Sequence, residues 1–201
     1  KTIVESFKTL MNKDLMYELN IDYGLLKVPQ VTFPYSKFIS TESAFYRVHY
    51  HNFKTQNSYQ DNLEAFEWII DFAIENNIDL SIGISPVHAR LLEVLHVKGY
   101  QEEFENWKRN LIQILELKKG RNFQNKVNIY DFSGFNTYTS EAIPNKENKE
   151  DIQTNMEWYL EPSHYKISLG NKIIERLLTE EDNSKDSFGI KLNKDNIEEH
   201  L

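Results

Sequence analysis

The chain has 201 residues, no cysteine and a formal net charge of -8, which excludes a disulfide scaffold, a thiolate metal site and a cysteine nucleophile. An acidic chain gains nothing from releasing the counterions of a polyanion, so no nucleic-acid partner is expected and anionic membrane surfaces are disfavoured. Hydrophobic residues at 40% and aromatics at 13% supply the apolar surface for a packed core.

The first residue is Lys1 and not Met, so the sequence reads as a piece of something longer. Ile3, Val4, Phe7, Leu10, Met11 and Leu15 recur near a helical period, which predicts a helix from about residue 3 to about residue 18. Residues 21–57 contain Gly24, Pro29 and Pro34 with little periodicity. They read as an ordered connection with a short helical segment at Ser43–His51. His49 and His51 alternate, as two metal ligands on one strand face can, but no acidic third ligand stands nearby. A structural or surface role is expected for both, and no metal.

Asn57-Ser58 and Asp61 offer N-cap side chains before LEAFEWIIDFAIENN, where Leu63, Phe66, Ile69, Ile70, Ala73 and Ile74 form one helical face. Asn76-Asn77 closes that helix, since Asn tolerates a left-handed cap. IDLSIGIS reads as a strand with Ile78, Leu80, Ile82 and Ile84 on one side, ended by Pro86. Helices follow from about Val87 to about Val97 and over 101–119, the second with Phe104, Trp107, Leu111, Ile114 and Leu115 inward. VNIYDF (127–132) is a second strand, and 137–151 a solvated loop. MEWYLEPSHY (156–165) is short and aromatic, SLGNKIIERLL (168–178) is a core helix, and FGIKLNKDNIEEHL holds a short strand or turn and a helix.

Strands separated by helices require crossover connections. The expected fold is therefore α/β: a three-layer αβα arrangement with a mainly parallel sheet, flavodoxin-like, lacking an N-terminal part. Its parts would be an N-terminal helix and connection (1–57), the αβα core (58–180) and a C-terminal appendage (181–201). No segment spans a membrane. An incomplete sheet would expose edge strands, which makes an oligomer a plausible state.

Function in such sheets sits beyond the carboxyl ends of the strands. Ser85 and His88 after the first strand, and Asp131 and Ser133 after the second, are the candidate substrate-binding residues. Each also has an ordinary alternative as a cap or turn residue. Glu161-Pro162-Ser163-His164 is the most informative piece. A carboxylate three residues before a histidine on a loop can fold back, hold the Nδ1 proton and leave Nε2 as a base. Glu161 and His164 are the candidate catalytic residues, and Trp158, Tyr159 and Tyr165 beside them suit a sugar face, although core packing explains Trp158 equally well.

The string NIYDFSGFNTYTSEAIP…MEWYLEPSHYKISLGNKIIERLL resembles the final segment of SGNH/GDSL-type hydrolases. The span from about Asp61 to Leu178 is similar to the second half of bacterial envelope-associated SGNH-like proteins. In that superfamily an Asp-x-x-His element before the closing helix supplies the triad histidine and its acidic partner. The matching positions are Glu161 and His164, with Glu in place of the usual Asp. No Gly-Asp-Ser nucleophile block and no Gly-x-Asn-Asp block occurs in the chain.

The resemblance implies an ester hydrolase or O-acyl transferase in the cell envelope, acting on a small-molecule or glycan ester without metal or organic cofactor. His164 would be the base, and the serine would lie outside this chain. The alternatives are a non-catalytic SGNH-like domain that binds glycan or envelope partners, and an α/β binding protein whose Glu161–His164 pair is accidental.

Overall fold

The computed structural model describes residues 21–22, 25–26, 35–49, 58–119, 126–143, 156–179 and 188–201. The chain divides into two compact units, Lys1–Thr32 and Phe33–Leu201. This division falls well before the expected boundary at residue 57. In the first unit, β1 (Ile21–Asp22) pairs antiparallel with β2 (Leu25–Leu26). The helix expected over 3–18 lies outside the described residues, as does His51.

The second unit opens with α1 (Tyr35–Ala44), which runs into a π-helical turn at Phe45–His49. The helical segment expected at Ser43–His51 thus begins eight residues earlier, and Phe38 buries itself in the core. Next come α2 (Ser58–Glu75), β3 (Leu80–Ile84), α3 (Ala89–Val97), α4 (Gln101–Lys119) and β4 (Val127–Asp131). A hairpin of β5 (Tyr159–Glu161) and β6 (His164–Tyr165) leads to α5 (Ile167–Leu178). The chain then forms β7 (Ile190–Leu192) and the short α6 (Ile197–His200). Helix α2 stops as its sequence requires: Asn77 takes φ +53, in the left-handed region that Asn tolerates.

The described part of this unit is mixed α/β with a small sheet in the order β3-β4-β7. Strands β3 and β4 are parallel, with Leu80 opposite Val127 and Ile84 opposite Asp131. Strand β7 is antiparallel to β4, with Ile190 opposite Asp131 and Leu192 opposite Ile129. The mainly parallel sheet is therefore corrected to a mixed one. The crossover rule holds for β3 and β4, which only the helices α3 and α4 separate. Between β4 and β7 both a hairpin and a helix intervene, and β7 enters at the carboxyl end of β4.

Strand β4 serves two apolar clusters through its side-chain alternation. Val127 and Ile129 pack with Ile84, with Leu63 and Ile70 of α2, with Leu111 and Leu115 of α4, and with Leu192 and Ile197. Tyr130, with Phe132 just beyond the strand, packs with Phe38, Tyr159, Leu169 and Phe188. Leu192 and Ile197 are core residues, so the stretch expected as an appendage (181–201) supplies a strand and a helix to the main body.

Gly189 precedes β7 at φ +72, and a Cβ there would run into the Phe132 ring and approach Arg176 Cγ to 2.8 Å. Gly189→Ala is expected to destabilise the protein by roughly 2 kcal/mol, from positive φ and overpacking together. Thermal unfolding checks this, and an unchanged melting temperature would show that the junction relaxes freely.

Candidate functional site

Three segments meet beyond the carboxyl ends of β3 and β4: the loop 85–88, the loop 132–143 and the β5–β6 hairpin. Backbone bonds join them. His88 N–H donates to the Pro162 carbonyl at 2.9 Å, and Ala89 N–H to the Thr139 carbonyl at 2.8 Å.

His88 is the clamp. Its ring is buried edge-on between Phe38 and Tyr159, with centroids 5.0 and 5.2 Å away. Nδ1 accepts from Arg90 N–H at 3.3 Å as the N-cap of α3. Nε2 then carries the proton and donates to the Glu141 carbonyl at 2.8 Å. Burial lowers the imidazole pKa; the Glu141 bond opposes this, and Arg90 reinforces it. Both ring nitrogens are occupied within the protein, so His88 positions loops and offers no ring nitrogen to a substrate.

The Glu161–His164 pair forms as its spacing suggests. Glu161 is buried, whereas the His164 side chain is 76% exposed. His164 Nδ1 contacts Glu161 Oε1. No described residue bonds Nε2. Ser163 anchors the carboxylate twice, from Oγ to Oε1 at 2.7 Å and from N–H to Oε2 at 3.3 Å. Burial pushes the Glu161 pKa up, but the bonds from Ser163 and His164 outweigh it and hold the carboxyl below its ordinary value. Ser163 Oγ lies 3.0 Å from Nδ1, on the anchored side of the imidazole.

Glu141 has no signature in the sequence and yet holds this hairpin. Its carboxylate accepts from the backbone N–H groups of Glu157, Trp158 and Tyr159 as the chain enters β5. Burial raises its pKa despite those bonds.

Asp131 and Ser133 are brought together in a different arrangement. Asp131 is fully buried. Oδ1 accepts from Ser133 N–H (2.8 Å) and Oγ–H (2.7 Å); Oδ2 accepts from Lys108 Nζ (2.7 Å) and His200 Nε2 (2.9 Å). Lys108 also donates to Ser133 Oγ at 3.0 Å. Burial pushes the Asp131 carboxyl up, but His200, Lys108 and Ser133 together hold it far below the usual carboxylate range. The carboxylate is saturated, and Lys108 is committed to an ion pair, so Ser133 lacks a free base. These residues tie β4 to α4 and α6 rather than presenting groups to a ligand.

Ser85 is exposed just past β3. A cavity of about 520 Å³ opens beside Phe104, Lys108, Phe135 and His200, and neither Glu161 nor His164 lines it. No group of three or more His, Asp or Glu that could hold a metal occurs among the described residues. No described helix is long and apolar enough to cross a membrane. Comparisons with protein-family models, with curated proteins and with solved structures find no match.

Proposed function

We propose that the chain carries the acid–base half of an SGNH-like ester hydrolase or O-acyl transferase, built on a three-layer αβα core. One observation supports this most: an exposed imidazole is held through Nδ1 by a buried carboxylate, with Nε2 open to solvent. That is the arrangement a general base needs to take a proton from a hydroxyl and return it to a leaving group. The hairpin's attachment to the β3–α3 loop places the pair at the end of the sheet where ligands bind in α/β folds. Apolar clusters built around β4 are what a layered core would require.

The nucleophilic serine is assigned to polypeptide outside this chain, and Ser85 to the rim of the substrate site. An acylated glycan or small-molecule ester is the substrate class. The half-buried Trp158, edge-on to Tyr138 at 4.9 Å, supplies an aromatic wall near the hairpin.

The test is p-nitrophenyl acetate turnover by the protein expressed from its complete reading frame. His164→Ala is expected to abolish turnover above background. Undiminished turnover in that variant overturns the proposal.

A further inference from the structure

Strand β3 stands at one side of the sheet, with β4 as its neighbour among the described residues. Leu80 N–H donates to the Lys126 carbonyl, and the Ile84 carbonyl accepts from Phe132 N–H. Strand alternation therefore turns the N–H and C=O of Ser81 and Gly83 away from β4. Both residues are exposed. Leu80–Ile84 carries none of the usual guards of an edge, such as lysine, proline or a bulge.

Helices α2 and α5 both pack near β3, α2 through their common apolar cluster and α5 through Leu177 beside Gly83. On α2, Glu67 and Asp71 face α4, each 2.7 Å from Lys118 Nζ. Ile69 and Phe72 stand on the other flank, with Trp68 stacked on Phe72 at 5.6 Å, and Trp68 is 64% exposed. On α5, Arg176 reaches toward β7 through Gly189 O at 3.0 Å, while Leu177 lies over Gly83. The next positions round that helix on the Leu177 side, Ile174 and Leu178, are exposed, Leu178 at 79%. Two exposed apolar stripes thus lie on the helices next to a strand that has no second neighbour among the described residues.

We propose that this edge is the interface with a second copy of the chain. A two-fold axis through Ile82 sets Ser81 of each copy opposite the partner's Gly83 in antiparallel pairing. The paired sheets become one six-stranded sheet, and each flanking helix meets its own counterpart. Charge favours self-association here. An isologous contact brings two copies of one patch together, so an acidic patch would face its like. The flanks (Ala65, Ile69, Phe72 and Asn76 on α2; Asn171, Ile174 and Leu178 on α5) carry no charge in a chain of net charge -8. The exposed area of the five large side chains is on the order of 600 Å² per copy, near the roughly 800 Å² of a standard interface before the strand is counted.

Sedimentation velocity tests the proposal, and it does not depend on the hydrolase reading. The unaltered protein is expected to be a dimer. Ser81→Pro removes an outward N–H without touching the β3–β4 ladder, and Phe72→Glu puts an acidic group on the apolar flank of each copy. Each is expected to give a monomer with unchanged far-ultraviolet circular dichroism. A monomeric unaltered protein overturns the interface, as does a dimer that either folded variant leaves intact. Should Ser81→Pro fail to fold, hydrogen exchange decides: slow exchange of the Ser81 and Gly83 amides is expected, and fast exchange overturns the pairing.

Discussion

Lys108→Met is expected to lower the melting temperature by on the order of 10 °C, or about 3 kcal/mol. Lys108 and Asp131 are an ion pair with 7% and 0% side-chain exposure, 2.7 Å apart. Methionine matches the lysine stem and leaves the carboxylate without its cation. His200 and Ser133 still donate to Asp131, which keeps the loss near the lower end for a broken buried pair. The cost should therefore shrink in Lys108→Met combined with Asp131→Asn, because no buried charge then remains.

Acid works through the same group. The folded-state pKa of Asp131 is depressed, so its contribution is complete above the ordinary carboxylate range. It is lost as pH falls through that range toward the lower folded-state value. The unaltered protein should lose stability there faster than Asp131→Asn does. Calorimetry across that range checks the sign, and parallel curves would remove the cluster from the account of acid stability.

The second large effect concerns rate. Glu161→Gln is expected to reduce kcat for ester turnover by on the order of 10²–10⁴-fold, with KM little changed. The carboxylate only accepts, so it fixes the proton on Nδ1 and leaves Nε2 with a free lone pair, as the proposed base requires. Glutamine can donate to Nδ1 instead, which favours the tautomer with Nε2 already protonated. Ser163→Ala should cost less, about tenfold, since it removes one anchor of Glu161 and spares the pair. Glu161 is held below its ordinary pKa and stays ionised well into the acid range. An undiminished kcat in Glu161→Gln would show that the carboxylate does not orient His164.

Much of the main body was legible because its elements obey short-range rules. The 3.6-residue period placed α4 at Gln101–Lys119, and alternation placed Leu80, Ile82 and Ile84 on one face of β3. The Glu161–His164 contact was legible because a tight turn keeps it local. Long-range decisions were not. The direction of β7 depends on a partner about sixty positions earlier in the chain.

His88, Asp131 and Ser133 looked like site residues because polar groups at strand ends often are, whereas here the protein itself satisfies them. Lys108 did leave a trace. It sits on the inward face of α4, four residues after Phe104 and three before Leu111, where a lysine needs a buried anion. Glu141 left none, since a loop carboxylate that receives three successive amides resembles any solvated glutamate in sequence.

The pairing of β4 with β7 also sets a timetable for assembly. During synthesis β4 and β3 emerge early, but Ile190–Leu192 and His200 follow only after the hairpin and α5. Until then one side of β4 has no neighbour, and the Asp131 carboxylate lacks one of its donors. Closing so distant a contact costs chain entropy before it yields any bonds. The nascent chain must keep a half-built sheet from sticking to others while the ribosome finishes it.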